Sequence, residues 1–233
     1  TSTQLQSISN AALAQLSTAQ VAALTTAQVD KLTTAQVKAL TTAQMKALSA
    51  DQTAKLTTAQ INSLSDVQVA ALDAADLADL SAAQVQAFSA KAVAAMTTAQ
   101  VAALTTAQAS GLTTAQVRAL TTAQVVALTT TQAEKLGTAQ LAAMTSAQVK
   151  ALDTADLAKL DTAQLRAMTT AAVGGLSTAQ VASLSTLQVS TMTDGQVAGL
   201  SATQVKAIET ADLAAMTSTQ LQSISNAALA QLS

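Results

Sequence analysis

Three pairs of acids, each three residues apart, are the side chains best placed to do chemistry: Asp73 and Asp76, Asp153 and Asp156, Glu209 and Asp212. Carboxylate oxygens gathered in this way suit a hard cation such as Ca²⁺. Against that, no EF-hand-like loop of liganding oxygens accompanies them, and two anions at a helix start complement its partial positive charge without any metal. Metal ligation is the weaker expectation at these six positions. Catalysis has less to work with. The chain contains no His and no Cys, and its Ser, Asp and Lys are spread along it rather than gathered, so the composition predicts a protein without enzymatic activity or cofactor. Paired hydroxyls such as Thr25–Thr26 and Thr33–Thr34 could present a regular face to ice or to a glycan, or carry O-linked sugar.

The elements that must position these groups follow from one eight-residue unit, seen at Thr25-Thr26-Ala27-Gln28-Val29-Asp30-Lys31-Leu32 and repeated without a slip. Its slots are numbered 1 to 8 from Thr25. Slot 8 falls on every multiple of eight from Ile8 to Leu232 and is always Leu, Ile, Met or, once, Phe88. Such a fixed period puts repeat architecture ahead of any other reading. Slot 1 is Ser or Thr except at Asp73, Gly137, Asp153, Asp161 and Glu209, and slot 4 is mostly Gln. Thr-x-x-Gln is a capping box, in which the cap oxygen takes the slot-4 N–H and the Gln reaches back to the cap's own N–H. The slot-8 residue before the cap and the Val at slot 5 are the two ends of a hydrophobic staple. Each octad thus carries a complete helix start, which implies that the previous helix has stopped.

A single continuous helix fails on arithmetic. Eight residues at about 100° each would advance the apolar row by roughly 80° per octad, and a heptad drifts by only about 20°. A β-solenoid would want alternation and turn residues rather than Ala and Gln. The expectation is an all-α solenoid, a continuous superhelical rod of short helices, with slots 2 to 7 helical and slots 8 and 1 extended. One octad cannot fold alone. Ordering its backbone costs on the order of 8–16 kcal/mol, whereas burying one Leu and one Val returns about 3–6 and a cap about 1.

Composition agrees. Half of the 233 residues are apolar, Trp, Tyr and Pro are absent, and Phe88 is the one aromatic, which suggests a narrow core with no room for large side chains. The net charge of −2 offers no basic stripe for nucleic acid. No apolar run is long enough to span a membrane, and no signal peptide is visible. Lys31, Lys38, Lys55, Arg118, Lys135 and Arg166 sit at slots 6 and 7, where solvent and the helix C-terminus both suit a cation.

Residues 1–17 recur identically as 217–233, an offset of 216 residues or 27 octads. The organisation expected is one solenoid over 1–233: a 216-residue period, 1–216, followed by the first 17 residues of another copy, cut mid-pattern from a longer array. Slot 4 is Ala at Ala12, Ala92, Ala172 and Ala228, spaced 80, 80 and 56, and Asp at Asp76, Asp156 and Asp212, spaced 80 and 56. If those octads share a face, ten and seven octads both approximate whole turns, and about three and a third octads make one turn. Loss or gain of whole octads is tolerated where each unit contacts only its neighbours. Ile224, Leu229 and Leu232 are as apolar as any interior residue of their slots, and a solenoid without a polar cap invites continuation.

Octads such as Leu104-Thr105-Thr106-Ala107-Gln108 and Leu120-Thr121-Thr122-Ala123-Gln124-Val125 resemble arrays in very large bacterial secreted or surface proteins of adhesin-like, RTX-like or haem-utilisation type. The resemblance implies an extracellular or cell-surface, bacterial setting and carries over no site residue; without a His, no haem ligand is present. Together these readings predict a structural repeat whose partner is itself, forming a fibre, filament or adhesin stalk. The alternative is a binding module using the Thr face.

Overall fold

The computed structural model describes residues 2–230, apart from the side chains of Ser2, Thr3 and Ala227, so Leu232 lies outside the described residues. Helices of four to six residues follow one another at one per octad, and no strand occurs among the described residues. Each helix runs from slot 2 to slot 6 or 7, as in Thr34–Ala39 and Thr42–Lys46, except Asn226–Leu229, which ends at slot 5. Between these two, Leu40 (φ −60°, ψ 134°) and Thr41 (φ −71°, ψ 163°) are extended and turn the chain. Helices this short carry an unfavourable nucleation cost and few internal bonds, so capping and tertiary contact must hold them.

The inside of the coil is made by slots 4, 5 and 8. Slot-5 side chains from Leu13 to Val205 are 0–2% exposed, and slot-8 side chains from Leu32 to Ile208 are 1–6% exposed. Phe88 is buried among the slot-8 residues as a core variant. The Lys and Arg of slots 6 and 7 are exposed, as expected.

Stacking follows a fixed interval. Helix Thr34–Ala39 packs on Thr58–Ser63, Asp66–Ala71 on Ala90–Ala95, and Thr186–Thr191 on Thr210–Ala215, each three octads ahead. Side-chain bonds, described below, span four octads. A turn therefore holds between three and four octads, which brackets the value read from the 80- and 56-residue spacings. The contacts cluster into two units, Thr1–Ala119 and Leu120–Ser233, and the same intervals recur inside each.

The stack also explains a residue preference that capping leaves open. A Cβ on Gly175 would lie 2.8 Å from Ser146 Cβ, and one on Gly199 would lie 2.5 Å from Thr170 Cγ2. At these octads slot 7 thus sits close over slot 2 of the octad three behind, and slot 2 is a contact position as well as a surface one. Lys91 (slot 3) reaches Asp66 (slot 2), again three octads back, at 2.9 Å. This hydrogen bond to Lys91, with help from the backbone, holds the Asp66 carboxyl below the ordinary carboxylate value.

Candidate functional site

Slot 4 is where the structure departs most from a capping-box reading. At Gln100 the expected box is present: Thr97 N–H donates to Oε1 at 2.8 Å, and the Gln100 N–H donates to Thr97 Oγ1 at 3.1 Å. The remaining end of the amide is not solvated. Gln100 Nε2 donates to the carbonyls of Val69 at 3.0 Å and Leu72 at 2.7 Å, four octads back. Those carbonyls end the helix Asp66–Ala71, where an α-helix leaves its last C=O groups without partners. One Gln therefore caps the start of its own helix and the end of another.

The same pair of bonds joins Gln36 to Leu5 and Ile8, Gln44 to Leu13 and Leu16, Gln116 to Val85 and Phe88, and Gln196 to Leu165 and Met168. Each of these glutamines is only 1–2% exposed. Gln20 and Gln28 have only the N-terminal half of the role, and Gln20 is exposed. Sequence reasoning recovered the cap and missed the lock. A signal for it was present: slot 4 is Gln, Ala or Asp and never Glu. A capping box accepts either Glu or Gln, so a strict amide means that its N–H₂ is used.

The acidic pairs occupy this same slot. Asp76, Asp156 and Asp212 stand where the lock would be, with Asp73, Asp153 and Glu209 at the cap. Asp156 and Asp212 are each 3% exposed, and Asp76 is half-buried. Burial, followed by the charges of Asp73 and Asp79, pushes the Asp76 carboxyl above its ordinary value. Capping by the slot-1 acids is corrected here. Asp73 and Glu209 make no side-chain cap bond, and Asp153 takes the N–H of Thr154 at 2.7 Å instead of that of Asp156. Asp161, whose slot-4 partner is the neutral Gln164, does cap it at 2.7 Å. Repulsion between two carboxylates on one helix start accounts for the difference. The structure brings each pair onto one octad, and no group of three or more Asp or Glu with metal-binding geometry occurs among the described residues.

Two smaller departures belong to the same machinery. Gly137 has no cap oxygen, yet its N–H still donates to Gln140 Oε1 at 2.6 Å. Thr53 fills a slot-5 position that is otherwise apolar, and its buried hydroxyl has no hydrogen-bond partner.

Fold and lock together define a helical repeat protein with one short helix per octad. Sequence comparison gives the family: the ALTTAQ repeat matches residues 1–34, 30–58, 69–106, 106–138 and 149–186. The chain belongs to the ALTTAQ repeat family. No curated protein matches the chain.

Proposed function

We propose that this chain is a structural, non-catalytic segment of an extracellular or cell-surface bacterial fibre or adhesin stalk, built as a single array of octads. The observation that carries this reading is the slot-4 lock. Because each Gln closes its own helix and one four octads behind, every added octad presents the same unfilled half-lock to the next. Such an array has no natural length, and head-to-tail contacts that do not close produce filaments. The identity of 1–17 with 217–233 supports tandem continuation of 216-residue blocks, and the octad register passes residue 120 without a slip. Among the described residues no helix is long and apolar enough to cross a membrane, and nothing in the charge pattern favours a nucleic-acid partner.

Electron microscopy of the purified segment at rising concentration, and of the native source, tests the proposal. Extended particles that lengthen with block number are expected; compact monomers at all concentrations overturn it. A second reading, a surface for ice or glycan, rests on the exposed hydroxyls of Thr41–Thr42, Thr105 and Thr121–Thr122. Thermal hysteresis or glycan capture by the same preparation would favour it over the stalk.

A further inference from the structure

Slot 4 loses its amide in a fixed order. Asp76, Gln84 and Ala92 occupy it in three consecutive octads, and Asp156, Gln164 and Ala172 do so 80 residues later. A carboxylate and a methyl have no N–H to give. In the register of Gln100, the slot-8 carbonyls of Leu48, Leu64, Leu128 and Met144 therefore receive no lock. The glutamine in the middle of each triplet also holds less than its counterparts. Gln84 Nε2 reaches the carbonyls of Ala54 at 2.9 Å and Leu56 at 2.7 Å but not that of Thr53. Gln164 Nε2 reaches those of Glu134 at 2.8 Å and Leu136 at 2.7 Å but not that of Ala133. Both side chains are 7% exposed, against 1–4% for the other buried glutamines. Thr53, whose carbonyl Gln84 misses, also carries the buried hydroxyl that has no partner.

Three octads make nearly one turn, so each triplet is a turn of the coil whose locks are missing or incomplete. The apolar rows continue through it: Leu77, Val85 and Val93 in the first, and Leu157, Leu165 and Val173 in the second, are 0% exposed. Packing closes these turns as it closes the rest, and only the polar clamp is reduced. We infer that the turns at 73–96 and 153–176 are opening joints, where the stack parts first while the fully locked turns beside them stay closed. In a stack of nearest-neighbour interfaces, local opening starts where the fewest bonds have to break. A third triplet, Asp212, Gln220 and Ala228, keeps a complete central lock on Val189, Ser190 and Met192 and is not such a joint. Use of the joints to lengthen under load rests on the stalk reading; their opening does not.

Native-state amide exchange of the full chain tests the inference. Helices Ala82–Gln86 and Thr162–Ala167 should exchange about tenfold or more faster than the locked Thr98–Ala103 and Thr178–Ala182, as the loss of one or two bonds implies. Asp76→Gln/Ala92→Gln supplies the absent amides to the first joint alone, and the Asp161–Gln164 cap shows that an acid at slot 1 accepts a Gln at slot 4. That variant should slow exchange at 73–96 to the locked value and leave 153–176 fast; Asp156→Gln/Ala172→Gln should do the reverse. Pulling on single molecules should give two early opening steps in the parent and one in either variant. Equal exchange in all four helices of the parent overturns the inference, whether or not the variants fold. Unchanged exchange at the repaired joint of a folded variant overturns it as well. Filament formation plays no part in these readouts, so they stand apart from the test of the stalk.

Discussion

A Gln side chain is an unusual thing to bury at every turn of a coil, because it loses about 1.5–2 kcal/mol of rotamer freedom and must be desolvated. Here both ends of the amide are used: Gln100 accepts through Oε1 and donates through Nε2 to Val69 and Leu72, with a longer bond to Ala70 at 3.4 Å. Each such bond contributes roughly 1 kcal/mol net, and leaving a partner unsatisfied costs about 1–3. Gln100→Glu retains the acceptor and points a carboxylate oxygen at the Val69 and Leu72 carbonyls. It should lower stability by about 3 kcal/mol or more at neutral pH, whereas Gln100→Ala, which copies the natural Ala92 octad, should lose about 1–3. Urea unfolding of the two variants makes the comparison. A Glu variant as stable as the parent would reduce slot 4 to an N-cap.

The short helix is stable only as part of a stack, and its surface is trimmed for close approach. Helices Ser146–Ala151, Thr170–Gly174 and Asp194–Ala198 lie three octads apart. A Cβ on Gly174 would come 2.8 Å from the Gly199 carbonyl oxygen, a backbone atom that cannot swing aside. Gly174→Ala is therefore expected to destabilise by about 1–3 kcal/mol, although Ala is the better helix former by about 1. Thermal melting and amide exchange of Thr170–Gly174 would show it. Unchanged protection would mean that the stack relaxes more readily than this packing implies.

At the scale of the whole molecule, cooperativity comes from bonds spanning 28 and 31 residues, as from Gln36 to Ile8 and Leu5. Stability should therefore depend on octad number as in a one-dimensional array. A peptide of four consecutive octads contains no complete lock and should be unfolded. Longer segments cut from within either unit should gain helicity per residue and Tm with each added octad. Circular dichroism of such a series measures this directly, and equal helicity per residue in the shortest and longest members would contradict the scheme.

How much of this was legible differs by residue. The octad period, the capping boxes at Thr97–Gln100 and its counterparts, the extended Leu40–Thr41 turns and the apolar rows at slots 5 and 8 are local. They follow from sequence spacing because a cap, a staple and a chain reversal need only neighbouring residues. The burial of Gln36, the crowding at Gly174 and Gly199, and the carbonyls that Gln100 reaches were decided by the tertiary structure. Each depends on which octad lies above which. That interval is set by the three-dimensional pitch of the coil, a quantity that eight-residue periodicity alone does not contain; the 80- and 56-residue spacings supplied only its approximate value. The physical reason is the amide itself. Its oxygen finds a partner three residues away, and its N–H₂ finds one only after the chain has gone once around.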